Sequence, residues 1–158
     1  MFDVAGVDAM LRRLCPLYGH IDLHVDAMHD GVYRCRVPLN AQNGNHLNTV
    51  HAAVQWAAAE MLGGLVAMRI IRSEDPTAVH VAVQSMSIDF QRPARSAIIA
   101  EAMFHESDAE RIERGIRRGE NETFRLNAVI RTARGETVAI TEAAYVIRPL
   151  RSASARAA

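Results

Sequence analysis

The stretch Asn45-His46-Leu47-Asn48-Thr49-Val50-His51-Ala52-Ala53-Val54-Gln55-Trp56-Ala57-Ala58-Ala59-Glu60-Met61-Leu62-Gly63-Gly64-Leu65-Val66-Ala67-Met68 passes without a break from polar residues into the most apolar run of the chain. Residues 40 to 49 have no hydrophobic periodicity and carry turn-forming Asn and Gly, so they read as a loop. From Val50 to Ile71 apolar side chains fall on nearly every face of a helical wheel. In a water-soluble protein such a helix must be covered on most sides. His51, Gln55, Glu60 and Arg69 interrupt the run, which argues against a membrane span. Asn48 or Thr49 is placed to cap the helix by accepting a hydrogen bond from one of its unpaired first-turn amides.

Strand-like segments surround this helix. Val4, Val7, Met10, Leu11 and Leu14 have helical spacing, which Pro16 and Gly19 bring to an end. Ile21, Leu23 and Val25 then alternate with polar residues, and the alternation resumes at Tyr33, Cys35, Val37 and Leu39 after His29-Asp30-Gly31, predicting a hairpin. After the helix, strands are expected over 78 to 90, 96 to 105, 123 to 132 and 136 to 148, the last two joined by a tight turn at Arg134-Gly135. Ser107-Asp108-Ala109-Glu110 has the form of a capping box and predicts a short charged helical turn. Residues 1 to 150 therefore read as a single α+β domain and 151 to 158 as a frayed tail. About twenty helical residues extend ~30 Å, and strands of nine or ten residues extend about as far. With no second long helix, five or six antiparallel strands are expected to wrap around the one helix.

Composition narrows the chemistry. The 158 residues carry 18 basic and 18 acidic side chains, so no net charge drives the protein onto nucleic acid or an acidic membrane. Every basic residue is Arg, which excludes Schiff-base and lysine general-base mechanisms. Cys15 and Cys35 are far apart and form no CxxC, so neither a disulfide scaffold nor a zinc site is signalled, and no metal is expected. The N-terminal stretch lacks the pattern of a signal peptide, and a reducing cytoplasm is the expected location.

Asn45, Asn48, His51-Ala52-Ala53 and Glu60 resemble the active-site run of the hotdog-fold acyl-CoA thioesterases of the phenylacetyl-CoA thioesterase type, and a less characterised branch of that superfamily with an N-H-x-x-T-x-H-A-A run. The thioesterase pattern has Gly where this chain has Asn48 and His-Gly-Gly where it has His51-Ala52-Ala53. Ile88-Asp89-Phe90-Gln91-Arg92-Pro93-Ala94 is similar to the F-x-R-P-A segment of the same superfamily, so the likeness spans about residues 20 to 149. The resemblance implies the hotdog fold, hydrolysis of an acyl-CoA thioester and no cofactor beyond the coenzyme A of the substrate. It also implies self-association as a homodimer or dimer of dimers, with catalytic residues meeting across a subunit interface.

The residues allow this chemistry on their own terms. First-turn amides, notably that of Ala52, lie at the positive end of the helix dipole, where a carbonyl oxygen gaining charge would be stabilised. Glu60 lies among Trp56, Ala57, Ala58, Ala59, Met61 and Leu62, where an ionised carboxylate needs a partner or a task. Carried over from the resembled enzymes, Glu60 is nucleophile or general base, Asn45 orients water or substrate, Ala52 supplies the oxyanion amide and His51 supports the helix start. Gly64 stands where some relatives carry a hydroxyl. His46 and Asn48 are candidate substrate contacts in the loop, and Arg92 and Arg95 are candidates for coenzyme A phosphates. Structural readings stand beside these: a buried salt bridge for Glu60, a backbone-bonded His51, a turn role for Asn45 and solvated arginines at 92 and 95. Two other functions stay open. The His46 to Glu60 spacing matches that of hotdog acyl-thioester dehydratases or hydratases, and the Ala and Gly replacements fit a non-catalytic acyl-CoA binding module.

Overall fold

The computed structural model describes residues 3–71 and 79–150. Two helices come first, α1 (Val4–Leu14) and α2 (Pro16–His20), then a hairpin of β1 (His24–His29) and β2 (Val32–Val37). The long helix α3 (Ala52–Ile70) leads to β3 (Val79–Phe90) and β4 (Ile98–Met103), α4 (Glu106–Arg117), β5 (Glu122–Thr132) and β6 (Thr137–Pro149). The strands form one antiparallel sheet in the order β1-β2-β4-β5-β6-β3. This sheet curls around α3, and the molecule has the hotdog fold.

The hairpin turn needs left-handed backbone at both central positions, supplied by Asp30 (φ 51°) and Gly31 (φ 75°). Along α3, Met61, Leu62, Leu65, Val66 and Ile70 are at most 1% exposed, and β2 is pinned to the helix where the Cys35 thiol donates to the Ala58 carbonyl at 3.2 Å. Gly63 lets the sheet approach, because a Cβ there would lie 1.9 Å from Cζ of Tyr145 on β6. Coverage of α3 is nevertheless incomplete. Its residues that escape burial, Ala52, Ala53, Trp56, Glu60, Gly64 and Met68, follow the three- and four-residue steps of one helix face. The apolar wheel concealed this: the open stripe is set by where the sheet stops.

Several local expectations change. Pro16 begins a second helix at its favoured first position instead of only ending the first. Residues 21 to 23 precede the strand, which starts at His24. The α3 cap is His51 and not Asn48 or Thr49, with its Nδ1 accepting from the Ala53 amide at 3.0 Å. The charged turn at 107 to 110 is part of the 12-residue α4, whose N-cap, His105, makes no side-chain capping bond. Arg69, buried under α4, pairs with Glu106 and Glu113 and fixes the two helices together. The 151–158 segment lies outside the described residues.

Candidate functional site

The loop before α3 is organised by buried Asn43. Its Nδ2 donates to the carbonyls of Ile21 and Pro38 at 3.1 and 2.6 Å, and its own carbonyl accepts from the His51 amide at 2.9 Å. Val50 N–H donates to the Ala94 carbonyl at 2.9 Å, drawing the 90–95 segment against the helix start. A groove of about 480 Å³ results, lined by Asn45, Leu47, Thr49, Val50, Ala52, Gln55 and the segment Phe90 to Arg95. Four candidates, Asn45, Ala52, Arg92 and Arg95, are thus brought together although the two segments are far apart in sequence.

Each polar group here has a definite state. Asn45 Oδ1 accepts from Leu47 N, Thr49 N and Thr49 Oγ1 at 2.9, 3.2 and 3.1 Å, so the turn consumes its acceptor and leaves Nδ2 as a donor. Asn48 takes a left-handed φ of 53°, the conformation that glycine adopts freely and Asn tolerates, which explains how it can replace Gly. In the first turn of α3, the Ala53 amide goes to His51 Nδ1, while Val54 N–H and Gln55 N–H both go to the His51 carbonyl. The Ala52 amide is left without a partner among the described residues, at the positive end of the helix. Gln55 donates through Nε2 to the Val50 carbonyl at 3.1 Å, and its buried Oε1 has no partner among the described residues. Arg92 and Arg95 are exposed and carry no ion pair among the described residues. His46 is exposed and outside the groove lining.

Glu60 occupies a different place. It lies two turns along α3, about 12 Å from the Ala52 amide at ~1.5 Å per residue, and is not among the residues lining the groove. Its Oε2 accepts a hydrogen bond of 2.8 Å from the hydroxyl of Tyr18 on α2, and Tyr145 Oη donates to the Glu60 backbone carbonyl at 3.2 Å. Burial, then the neighbouring Glu60 charge, push both phenols above their ordinary range, so they stay protonated donors. A Cβ at Gly64, one turn further, would meet nothing within 4 Å, so there is open space on the face that carries Glu60. No arginine contacts Glu60 among the described residues, so the salt-bridge reading of this carboxylate is not what the structure has. Tyr18 and Gln55 escaped the sequence reading: Tyr18 is 42 positions from its carboxylate partner, and Gln55 looks like one polar residue in a buried helix.

Residues 5–147 match the family model described as Domain of unknown function (DUF4442). The chain belongs to this family. Among solved structures it is similar to a Pseudomonas aeruginosa protein of unknown function named a probable thioesterase, at 24% identity and a TM-score of 0.79, covering 94% of this chain and 97% of that one. A Haemophilus influenzae thioesterase superposes with a TM-score of 0.74 at 14% identity, covering 97% and 95%. A Chlorobaculum tepidum protein of unknown function does so with 0.78 at 16% identity, covering 92% and 94%. Comparison with curated proteins gives no match. The DUF4442 chain therefore shares the fold of thioesterases over nearly its whole length. No helix among its described residues is long and apolar enough to cross a membrane.

Proposed function

We propose that this chain is a thioesterase that hydrolyses acyl-CoA thioesters in the cytoplasm, as a homodimer or dimer of dimers, with water as the only co-reactant and no cofactor. The observation that carries the reading is the Ala52 amide, without a partner among the described residues, in a residue that lines one groove with Asn45, Arg92 and Arg95, the two arginines carrying no ion pair among the described residues. A thioester carbonyl seated at this helix terminus has its developing negative charge met by the amide and by the helix dipole. Arg92 and Arg95 suit the phosphates of coenzyme A, and Asn45, reduced to a donor, suits a water or carbonyl oxygen.

Glu60 supplies the base, but not to the groove of its own chain. A reacting carbon must lie within about 3 Å of both oxyanion donor and base, and the ~12 Å along α3 separates them. The reading therefore requires the Glu60 stripe of a second copy to face the groove. Strand β3 supports such a pairing: it spans Val79–Phe90 at the end of the sheet, bonds only to β6, buries none of its residues and leaves Val83 and Phe90 exposed. In the reaction, Glu60 takes a proton from water as the water oxygen bonds to the carbonyl carbon. Collapse of the tetrahedral species breaks the C–S bond, and the proton passes to the departing thiolate. Attack by Glu60 itself, with hydrolysis of the resulting anhydride, gives the same products.

The test is thiol release over acyl-CoAs of graded chain length, with Glu60→Gln as control. The expected result is turnover by the natural protein and a loss of about a thousandfold or more in the variant, at unchanged melting temperature. Saturable binding without thiol release over the whole panel would make the protein a binding module and overturn the reading.

A further inference from the structure

We propose that Tyr18 is a positioning residue for Glu60: its hydroxyl holds Oε2 in one direction and leaves Oε1 to act. This rests on the reading of Glu60 as nucleophile or base, and deepens it. The 2.8 Å bond is the single side-chain hydrogen bond of the carboxylate among the described residues, so Oε1 has no competing partner there. A carboxylate on a flexible stem beside the open space at Gly64 would otherwise sample several rotamers.

The phenol can hold that position because its backbone is fixed on both sides. Tyr18 N–H donates to the Cys15 carbonyl at 3.0 Å and its carbonyl accepts from Leu23 N–H at 2.9 Å. The helical pair that carries it is tied to β1, where Asp8 Oδ1 accepts from the Val25 amide at 2.8 Å and Arg12 meets His24, and to Asp22 just before the strand, which Arg12 also meets. The α1–α2 segment is thus a bracket that brings one hydroxyl to the uncovered stripe of α3. The titratable groups around the carboxylate are Tyr18 from α2 and Tyr145 from β6, with Cys15 and Cys35 next to Tyr18.

In Tyr18→Phe, the carbon-13 chemical shift of the Glu60 carboxyl at neutral pH, assigned through Glu60→Gln, is expected to move from its value in the natural protein, because the hydrogen bond to Oε2 is gone. An unchanged shift overturns the proposal, and this readout does not depend on any activity. In thiol release, Tyr18→Phe should lower kcat about ten- to hundredfold with KM changed less than about twofold. Arg12→Ala, which loosens the bracket but keeps the phenol, should lower the melting temperature and leave the Glu60 carboxyl shift in place. If Tyr18→Phe does not fold, 3-fluorotyrosine at position 18 keeps the shape and strengthens the donor, and the carboxyl shift should move in the opposite direction; no change overturns the proposal. A natural protein without thiol release defeats the proposed reaction, whereas normal turnover with an unmoved carboxyl shift in Tyr18→Phe defeats only the role of Tyr18.

Discussion

Adjacent glycines in α3 show how far one methyl group can differ in effect. At Gly63 an added Cβ would enter the ring of Tyr145, so Gly63→Ala must displace β6 or the helix and should cost at least about 1–3 kcal/mol in urea unfolding. At Gly64 the same methyl meets nothing within 4 Å, and Gly64→Ala should stabilise by up to about 1 kcal/mol through helix propensity while filling space beside Glu60. If acyl chains use that space, thiol release from the bulkiest substrates should fall most, measured as kcat/KM across chain length. His51→Ala removes the acceptor of the Ala53 amide and should cost about 0.5–2 kcal/mol, again read by urea unfolding. The sequence reads a helix from Val50 with Asn48 or Thr49 as its cap, and does not show that the His51 ring folds back as the cap instead, because that depends on the rotamer chosen against the loop.

Among the elements, α1 and α4 are held to the core by charged contacts of different depth. The hydrogen bond from His24, helped by its charge and then by Arg12, holds the Asp22 carboxyl below its ordinary value against the opposing effect of desolvation. A depressed carboxylate contributes stability at pH values above its unfolded pKa and loses that contribution as pH falls through its folded value. Asp22→Asn, which suits the left-handed backbone at this position, should therefore destabilise by less than about 1 kcal/mol near neutral pH, and the difference from the natural protein should vanish under acid. Unfolding curves at the two pH values check this. Arg69 is buried while Glu106 is half exposed, so Arg69→Ala leaves a gap between α3 and α4, removes a cation from beside Glu106 and Glu113, and should cost about 1–3 kcal/mol by the same measurement. The long helix and the four strands that follow it were legible from apolar run length and alternation. The extra helix α2 and the length of α4 were not, since a five-residue helix is too short to show apolar periodicity and α4 is mostly charged with few apolar positions.

At the scale of the whole molecule, the unpaired β3 edge and the half-open α3 stripe belong to one question, namely what covers them. If two copies join through β3, Val83→Lys should shift sedimentation from dimer to monomer and abolish thiol release without unfolding the chain. Co-expressed Glu60→Gln and Asn45→Ala chains, each inactive alone, should recover about a quarter of natural activity, because random pairing leaves one intact site in each mixed dimer. No recovery would place both residues in one chain's site and contradict the separation along α3.

The succession of strand segments along the chain before and after one apolar helix, the loop that feeds its N-terminus, and the membership of Asn45, Ala52 and Glu60 in one segment were determined by sequence, since periodicity and turn chemistry are local. Tertiary structure decided which face of α3 stays open, which amide lacks a partner, that Ala94 is bonded to Val50 so that Arg92 and Arg95 flank the groove, and that Tyr18 reaches Glu60. The reason is physical: an unpaired donor or an uncovered face is a property of what does not pack there, and no single stretch of residues records what the rest of the chain leaves exposed.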